Sequence, residues 1–110
     1  MFKQKEWIFT GKSGKEYHFG IFAKTRPIPE YGGIYILSYT HPRGHRSGFQ
    51  VNMLYAGAAE NFKEILADPP KQDCLWEGNW NCIYLLKFPD QTEKNHVLAD
   101  LIAGNDISCQ

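Results

Sequence analysis

The run "GIYILSY", residues 33–39, constrains this chain most, because it predicts a strand that is apolar on both faces. Ile34 and Ile36 fall on one side of such a strand, and Tyr35, Leu37 and Tyr39 fall on the other. A second apolar run, "FQVNMLYAG", follows the polar loop "THPRGHRSG". The two runs therefore predict a long hairpin that lies inside the protein.

Other segments supply the partners of this hairpin. "EWIFTGKSGKEYHFGIF" predicts an N-terminal β-hairpin around the turn "GKSG", and "NCIYLLKF" predicts a third core strand. "ENFKEILAD" predicts a helix that ends at Pro69-Pro70, and "DQTEKNHVLADLIAGN" predicts a helix with a capping box at Asp90 and Glu93. At 110 residues we expect one α+β domain over 1–110: a small, mainly antiparallel sheet flanked by helices, with an N-terminal hairpin at 1–22 and a core at 32–110.

Composition favours a globular protein away from the membrane. Hydrophobic residues make up 43% of the chain, which is enough for a core. No apolar run approaches the length of about 20 residues that spans a bilayer, so we expect no membrane partner. The stretch "MFKQKEWIFTGKSGKEY" lacks the apolar segment of a signal peptide, which predicts a cytoplasmic protein.

Charge is divided between the two halves of the chain. Residues 1–50 carry eight basic and three acidic residues, whereas residues 51–110 carry four basic and nine acidic residues. The formal net charge of zero argues against strong non-specific binding to nucleic acid. The acidic second half instead favours a basic protein partner or a surface that mimics DNA.

The three cysteines, Cys74, Cys82 and Cys109, show no spacing typical of zinc ligands. In a reducing cytosol we expect them to be free thiols. Coordination of a metal by Cys74, Cys82 and His96 is the alternative, although it also fits no zinc pattern. The sequence therefore predicts no metal site at the cysteines.

"GIY" at Gly33–Tyr35 and "YAG" at Tyr55–Gly57, joined by a hairpin and followed by a helix, a strand and a helix, resemble the GIY-YIG nuclease superfamily. The N-terminal "FTGKSGKEYHF" is similar to the hairpin of small bacterial proteins of this kind. The resemblance implies cleavage of a phosphodiester bond with one divalent metal, with two tyrosines, an arginine, a glutamate and an asparagine at the site. Such chemistry needs cationic groups around the phosphate.

Carried over residue by residue, the resemblance retains the tyrosines but not their charged partners. The first tyrosine falls on Tyr35 and the second on Tyr55. Ile65 stands at the arginine position, Leu98 at the glutamate position and Gln110 at the asparagine position. Because a leucine cannot bind Mg²⁺ and an isoleucine cannot neutralise phosphate, both tyrosines are interpreted as vestigial.

The chain is therefore predicted to be a catalytically inactive GIY-YIG-like module that acts by binding, with no cofactor. Its expected partner is a protein, as for a small inhibitor or adaptor of phage or mobile-element origin, and nucleic acid is a weaker candidate. The alternative is an active endonuclease with relocated ligands that requires Mg²⁺. The sequence indicates no oligomeric state.

Two segments carry candidate binding residues. The loop "HPRGHRSG" could bind phosphate or metal through His41, Arg43, His45 and Arg46, or it could be a solvated turn. Trp76 and Trp80 in "LWEGNWN" would form a binding hot spot if exposed, and would otherwise belong to the core. The exposure of the two tryptophans decides between these interpretations.

Overall fold

The computed structural model describes residues 6–43, 48–88 and 91–110, which form five β-strands and three α-helices. The strands are β1 (Glu6–Thr10), β2 (Glu16–Ala23), β3 (Gly33–Pro42), β4 (Phe49–Ala59) and β5 (Cys82–Lys87). The helices are α1 (Phe62–Ala67), α2 (Gln72–Glu77) and α3 (Gln91–Gly104). All five strands form one antiparallel sheet in the order β1-β2-β5-β3-β4. The predicted α+β class and the N-terminal hairpin are confirmed.

Strand β3 lies between β4 and β5 and is covered on both faces, as its sequence predicts. Ile34 and Ile36 belong to a cluster on one face, which we call the α3-side cluster because it includes Val97 of α3. Tyr35 and Leu37 belong to a cluster on the opposite face. We call it the α2-side cluster, since Phe62 of α1 and Leu75 of α2 complete it. The alternation of side chains along a strand produces these two layers.

Helix α1 forms as predicted, whereas α2 is a helix that the apolar patterns did not indicate. Asn61 caps α1 by accepting a hydrogen bond from the backbone N–H of Glu64 at 3.2 Å. Helix α2 has only six residues and begins after Lys71, whose backbone is left-handed at φ 59°. Helix α1 is equally short, but Leu75 is the one buried residue of α2, so α2 has no apolar repeat that could indicate a helix in the sequence.

Helix α3 places its apolar stripe on the α3-side cluster and its Asp100 on the β1–β2 turn. The Asp100 carboxylate accepts hydrogen bonds from the backbone N–H of Ser13 at 2.9 Å, its hydroxyl at 2.7 Å and the hydroxyl of Tyr17 at 2.8 Å. These bonds hold the pKa of Asp100 below its usual value. The predicted capping residue Asp90 lies outside the described residues. No helix in the described part of the chain combines the length and apolar character needed to cross a bilayer.

The prediction of three free thiols is wrong. Cys74 of α2 and Cys109 near the C-terminus form a disulfide, and only Cys82 of the described cysteines is a free thiol. The alternative of Cys74 as a metal ligand fails for the same reason, since its sulfur is already bonded. An uneven cysteine count concealed the pair, because Cys74 and Cys109 are 35 residues apart and meet only in the fold.

Candidate functional site

Two tyrosines of the sequence motifs stand side by side on the α2 side of the sheet. Tyr35 lies on β3 and Tyr55 on β4, and their ring centroids are 6.1 Å apart with 32° between the planes. Tyr35 is only 2% exposed, whereas Tyr55 is partly buried. Tyr55 pairs across the strands with Leu37, two residues after Tyr35, so both rings face the same layer. The fold therefore brings the two sequence-predicted tyrosines together.

The glycine of "YAG" makes room for the tyrosine of "GIY". Gly57 is the direct partner of Tyr35 in the β3–β4 register. A Cβ on Gly57 would stand 2.6 Å from the Tyr35 hydroxyl oxygen and 2.7 Å from its Cζ. The aromatic ring thus covers the bare backbone of its cross-strand neighbour, which is a known stabilising arrangement for glycine in a sheet.

Gly33, the glycine of "GIY", is equally constrained by the backbone of β5. Its φ of 155° is one that residues with a side chain rarely adopt, and a Cβ there would overlap the carbonyl of Leu86. The contacts of Gly33 and Gly57 thus explain the glycines of both motifs by packing. Catalysis is not needed to account for them.

Hydrophobic side chains pack around Tyr35. The α2-side cluster around Tyr35 includes Leu54, Phe62 and Leu85, and Ile65 packs against it. Burial raises the pKa of the Tyr35 hydroxyl, and the neighbouring Tyr55 raises it further. A general base near neutral pH requires the opposite shift, so Tyr35 is poorly suited to take a proton.

The residues at the implied glutamate and asparagine positions take other roles. Leu98 of α3 packs against the α3-side cluster, on the opposite face of the sheet from Tyr35. Gln110 binds the backbone of Ala56: its side-chain oxygen accepts from the N–H at 2.9 Å, and its side-chain nitrogen donates to the carbonyl at 3.0 Å. Leu98 therefore does not lie with the tyrosine pair, whereas Gln110 holds the strand that carries Tyr55.

The residues around the tyrosine pair do not fit a divalent metal. Mg²⁺ takes oxygen ligands, chiefly carboxylates, and the α2-side cluster supplies hydrocarbon side chains instead. Among residues 6–43, 48–88 and 91–110, no group of three His, Cys, Asp or Glu side chains is placed to hold a metal ion. No step of a metal-assisted reaction can be derived from this arrangement.

The predicted polar loop is described only in part. His41 stacks on Tyr39 with ring centroids 4.9 Å apart. Arg43 is exposed and donates its backbone N–H to the carbonyl of Gly48 at 3.3 Å. His45 and Arg46 lie outside the described residues, so the prediction of a binding loop stays a prediction.

The two candidate tryptophans line one cavity, which we call the tryptophan groove. Trp76 on α2 is 84% exposed, and Trp80 is partly buried against the α2-side cluster. The groove has a volume of about 680 Å³, in the size range of binding sites for small molecules and side chains. It is lined by Lys24, Ile28, Leu66, Ala67, Pro69, Gln72, Leu75, Trp76, Asn79, Trp80 and Ile83.

Trp80 is fixed in place, whereas Trp76 is exposed. The indole N–H of Trp80 donates to the carbonyl of Cys82 at 3.0 Å. Lys24 lies over the Trp80 ring at 4.3 Å and donates to the Trp80 carbonyl at 3.3 Å. Sequence reasoning did not find Lys24, because the pairing of β2 with β5 brings residue 24 to residue 80 and no local pattern indicates that contact.

Acidic side chains predominate around α1 and α2. The segment 60–77 contains five acidic residues and two basic residues, so its formal charge is −3, and all seven are exposed. Asp73 lies one helical turn before Trp76 on α2, on the same side of the helix. An exposed indole beside carboxylates is a favourable place for a cationic side chain.

Comparisons of this chain with protein-family models, with curated proteins and with solved structures found no match to it.

Proposed function

We propose that this protein is a catalytically inactive, GIY-YIG-like module that binds a protein partner through the tryptophan groove. The single observation that carries the proposal is Trp76, which is 84% exposed at the edge of a cavity with both apolar and polar lining residues. A large exposed aromatic beside a preformed pocket is the usual anchor of a protein interface. A folded protein gains no stability from leaving such a side chain in water.

Charge favours a basic segment as the partner's contact. The segment 60–77, which includes α1 and α2, has a formal charge of −3, and a positively charged surface would meet it with complementary potential. Lys24 on Trp80 provides an example within the protein of a cation held over an indole ring. The partner would place an apolar side chain in the groove and an Arg or Lys over Trp76.

The state of the tyrosine pair supports binding over catalysis. Tyr35 is buried against Gly57, its pKa is raised, and its surroundings are hydrocarbon. The observed order of hairpin, helix, strand and helix agrees with what the resemblance to GIY-YIG nucleases implies. In this proposal the fold is retained, and the α2 side of the sheet serves recognition.

Selection from a peptide library tests the proposal and requires no candidate partner. Random peptides displayed on phage are selected on the wild-type protein. Enriched peptides should carry Arg or Lys next to a large apolar residue, and Trp76→Ala should weaken their binding at least about tenfold. Ile8→Ala is the matched control, because Ile8 is also an exposed apolar residue but lies on β1, away from the groove. Peptides that bind Trp76→Ala as tightly as wild type would contradict the proposal that the tryptophan groove is the binding site.

A nicking assay tests the alternative of an active endonuclease. Supercoiled plasmid is incubated with the wild-type protein and with Tyr35→Phe, in Mg²⁺ and in Mn²⁺. We expect both proteins to leave the plasmid uncut. Cleavage by the wild type that Tyr35→Phe abolishes would show a working tyrosine and overturn the proposal of a non-catalytic module.

A further inference from the structure

The disulfide connects the wall of the tryptophan groove to the C-terminal segment. Cys74 lies on α2, two residues before Trp76, and Cys109 is the penultimate residue of the sequence. The groove takes Gln72, Leu75 and Trp76 from the same helix. The one covalent cross-link among the described residues therefore ends at the helix that presents the proposed anchor.

The C-terminal segment is itself held against the outer edge of β4. The backbone N–H of Ser108 donates to the carbonyl of Met53 at 3.1 Å, and that of Cys109 donates to Leu54 at 2.7 Å. Gln110 adds its two side-chain hydrogen bonds to the backbone of Ala56. These four bonds make the segment a rigid base for one end of the disulfide, and Cys109 is buried there.

Helix α2 has few other attachments to the sheet. It has six residues, Lys71 at its N-cap makes no side-chain capping bond, and Leu75 is its one buried residue. Gly78, just after the helix, packs closely against the side chain of Leu54. An isolated helix of this length is unstable in water, so its order depends on its connections to the rest of the protein. The disulfide is the strongest of them.

Of the two bonded cysteines, Cys74 is the more accessible residue. Cys109 is buried, but Cys74 is partly exposed and lines a surface depression beside the groove. Lys71 and Asp73 also line this depression. Attack by an incoming thiolate is therefore expected at the sulfur of Cys74, with Cys109 as the leaving group.

We propose that the Cys74–Cys109 disulfide is a redox switch that keeps α2, and with it Trp76, ordered at the tryptophan groove. The protein then holds its partner when the disulfide is oxidised and releases it when the disulfide is reduced. The control of binding rests on the proposed function, whereas the ordering of α2 by the disulfide does not. Redox state thus acts on the position of Trp76 through the helix that carries it.

The reaction is thiol–disulfide exchange with a dithiol reductant. One thiolate of the reductant attacks the sulfur of Cys74, the sulfur–sulfur bond breaks, and Cys109 leaves as a thiolate that takes a proton from water. The second thiolate of the reductant then attacks the mixed disulfide and releases Cys74, which is protonated in turn. Two electrons and two protons reach the protein, and the reductant ends as its own disulfide.

Hydrogen exchange followed by mass spectrometry tests the ordering of α2. The oxidised protein is compared with the same protein in excess dithiothreitol. Amides of 72–78 should exchange at least about tenfold faster after reduction, whereas those of β3 and β5 keep their rates. Unchanged exchange in 72–78 would overturn the switch. So would an equal rise throughout the sheet, because the disulfide would then hold the whole fold and not one helix.

Two cysteine variants provide the matched comparison. The double variant Cys74→Ser/Cys109→Ser should show the exchange of the reduced protein in either buffer. Cys82→Ala keeps the disulfide and should respond to dithiothreitol as the wild type does, because Cys82 is the free thiol. If the double variant does not fold, the reduced wild type still decides the question, since it has the native sequence.

Peptide affinity separates this inference from the proposed function. A peptide selected on the oxidised wild type should lose at least about tenfold in affinity on reduction. If no selected peptide depends on Trp76, the proposed function fails, whereas hydrogen exchange still tests whether the disulfide orders α2. If a Trp76-dependent peptide binds both redox states equally, the proposed function stands and the switch is overturned.

Discussion

The tyrosine pair and the tryptophan groove lie on the same side of one sheet, yet they differ in almost every physical respect. Tyr35 is 2% exposed and covers Gly57, whereas Trp76 is 84% exposed. Both regions share the α2-side cluster, to which Leu75 and Ile83 belong. An aromatic residue in a recognisable motif is thus part of the core, and an aromatic residue outside any motif is the one available to a partner.

A motif and a site can therefore separate within one fold. The glycines and tyrosines of "GIY" and "YAG" satisfy each other sterically across β3 and β4. In the proposed function, the binding site depends on what the helices over the sheet leave uncovered, and α2 leaves Trp76 uncovered.

The largest expected difference between the two regions is in stability. Tyr35→Ala should lower the free energy of unfolding by about 3–5 kcal/mol, because it removes a large aromatic side chain from the core. Trp76→Ala should change it by less than about 0.5 kcal/mol, because the side chain is mostly in water. Urea titrations of both variants measure this. Similar losses would show that the two aromatic residues have similar structural roles, and the contrast between the two regions would fail.

A second prediction concerns the contact of Gly57 with Tyr35. Gly57→Ala should cost about 1–3 kcal/mol of unfolding free energy, since the new methyl group overlaps the Tyr35 ring. The cost should shrink when Tyr35 is also changed to Ala, and a double-mutant cycle by urea denaturation measures the coupling. Additive effects would mean that Tyr35 is not what excludes a side chain at position 57.

A third and smaller effect is expected at the wall of the groove. Lys24→Met removes the cation over Trp80 and should cost about 0.5–1 kcal/mol of unfolding free energy, as for an exposed cation–π contact. The matched variant is Lys12→Met on the β1–β2 turn, which should leave Trp80 unaffected. The tryptophan emission spectrum checks this, and equal spectral shifts in the two variants would contradict the contact.

The smallest expected effect is a pH dependence on the face opposite the groove. The pKa of Asp100 is lowered in the folded protein, so its bonds to Ser13 and Tyr17 stabilise the fold above the unfolded pKa of about 3.9. This stabilisation is lost as pH falls through the lower, folded pKa. The difference in unfolding free energy between wild type and Asp100→Asn should therefore be fully present at pH 6 to 7, roughly, begin to fall below about pH 4 and disappear only below the folded pKa.

Binding of selected peptides should not follow that titration. Asp100 lies on α3 and contacts the β1–β2 turn, away from the tryptophan groove. Asp100→Asn should therefore bind a Trp76-dependent peptide as the wild type does near neutral pH. A matching loss of affinity would show that the two faces of the sheet are coupled, which would weaken the contrast between the regions.

Much of the fold could be predicted because strands and most helices leave local patterns. The alternation around Tyr35, the turn "GKSG" and the stripe that includes Val97 each arise from neighbours in the chain. Helix α2 left no such pattern, since Leu75 is its one buried residue and a single residue forms no apolar repeat. The prediction of free thiols was wrong because Cys74 and Cys109 are 35 residues apart, and their contact in the fold leaves no local pattern.

The sequence alone determined the order of the strands along the chain, the burial of β3 on both faces and the residues of the two motifs, since each is a matter of side-chain alternation and turn chemistry. Only the tertiary structure decided that Trp76 is exposed, that Lys24 meets Trp80 and that Cys74 bonds Cys109. The reason is physical: exposure and pairing depend on contacts between residues distant in sequence, and composition and spacing do not specify those contacts.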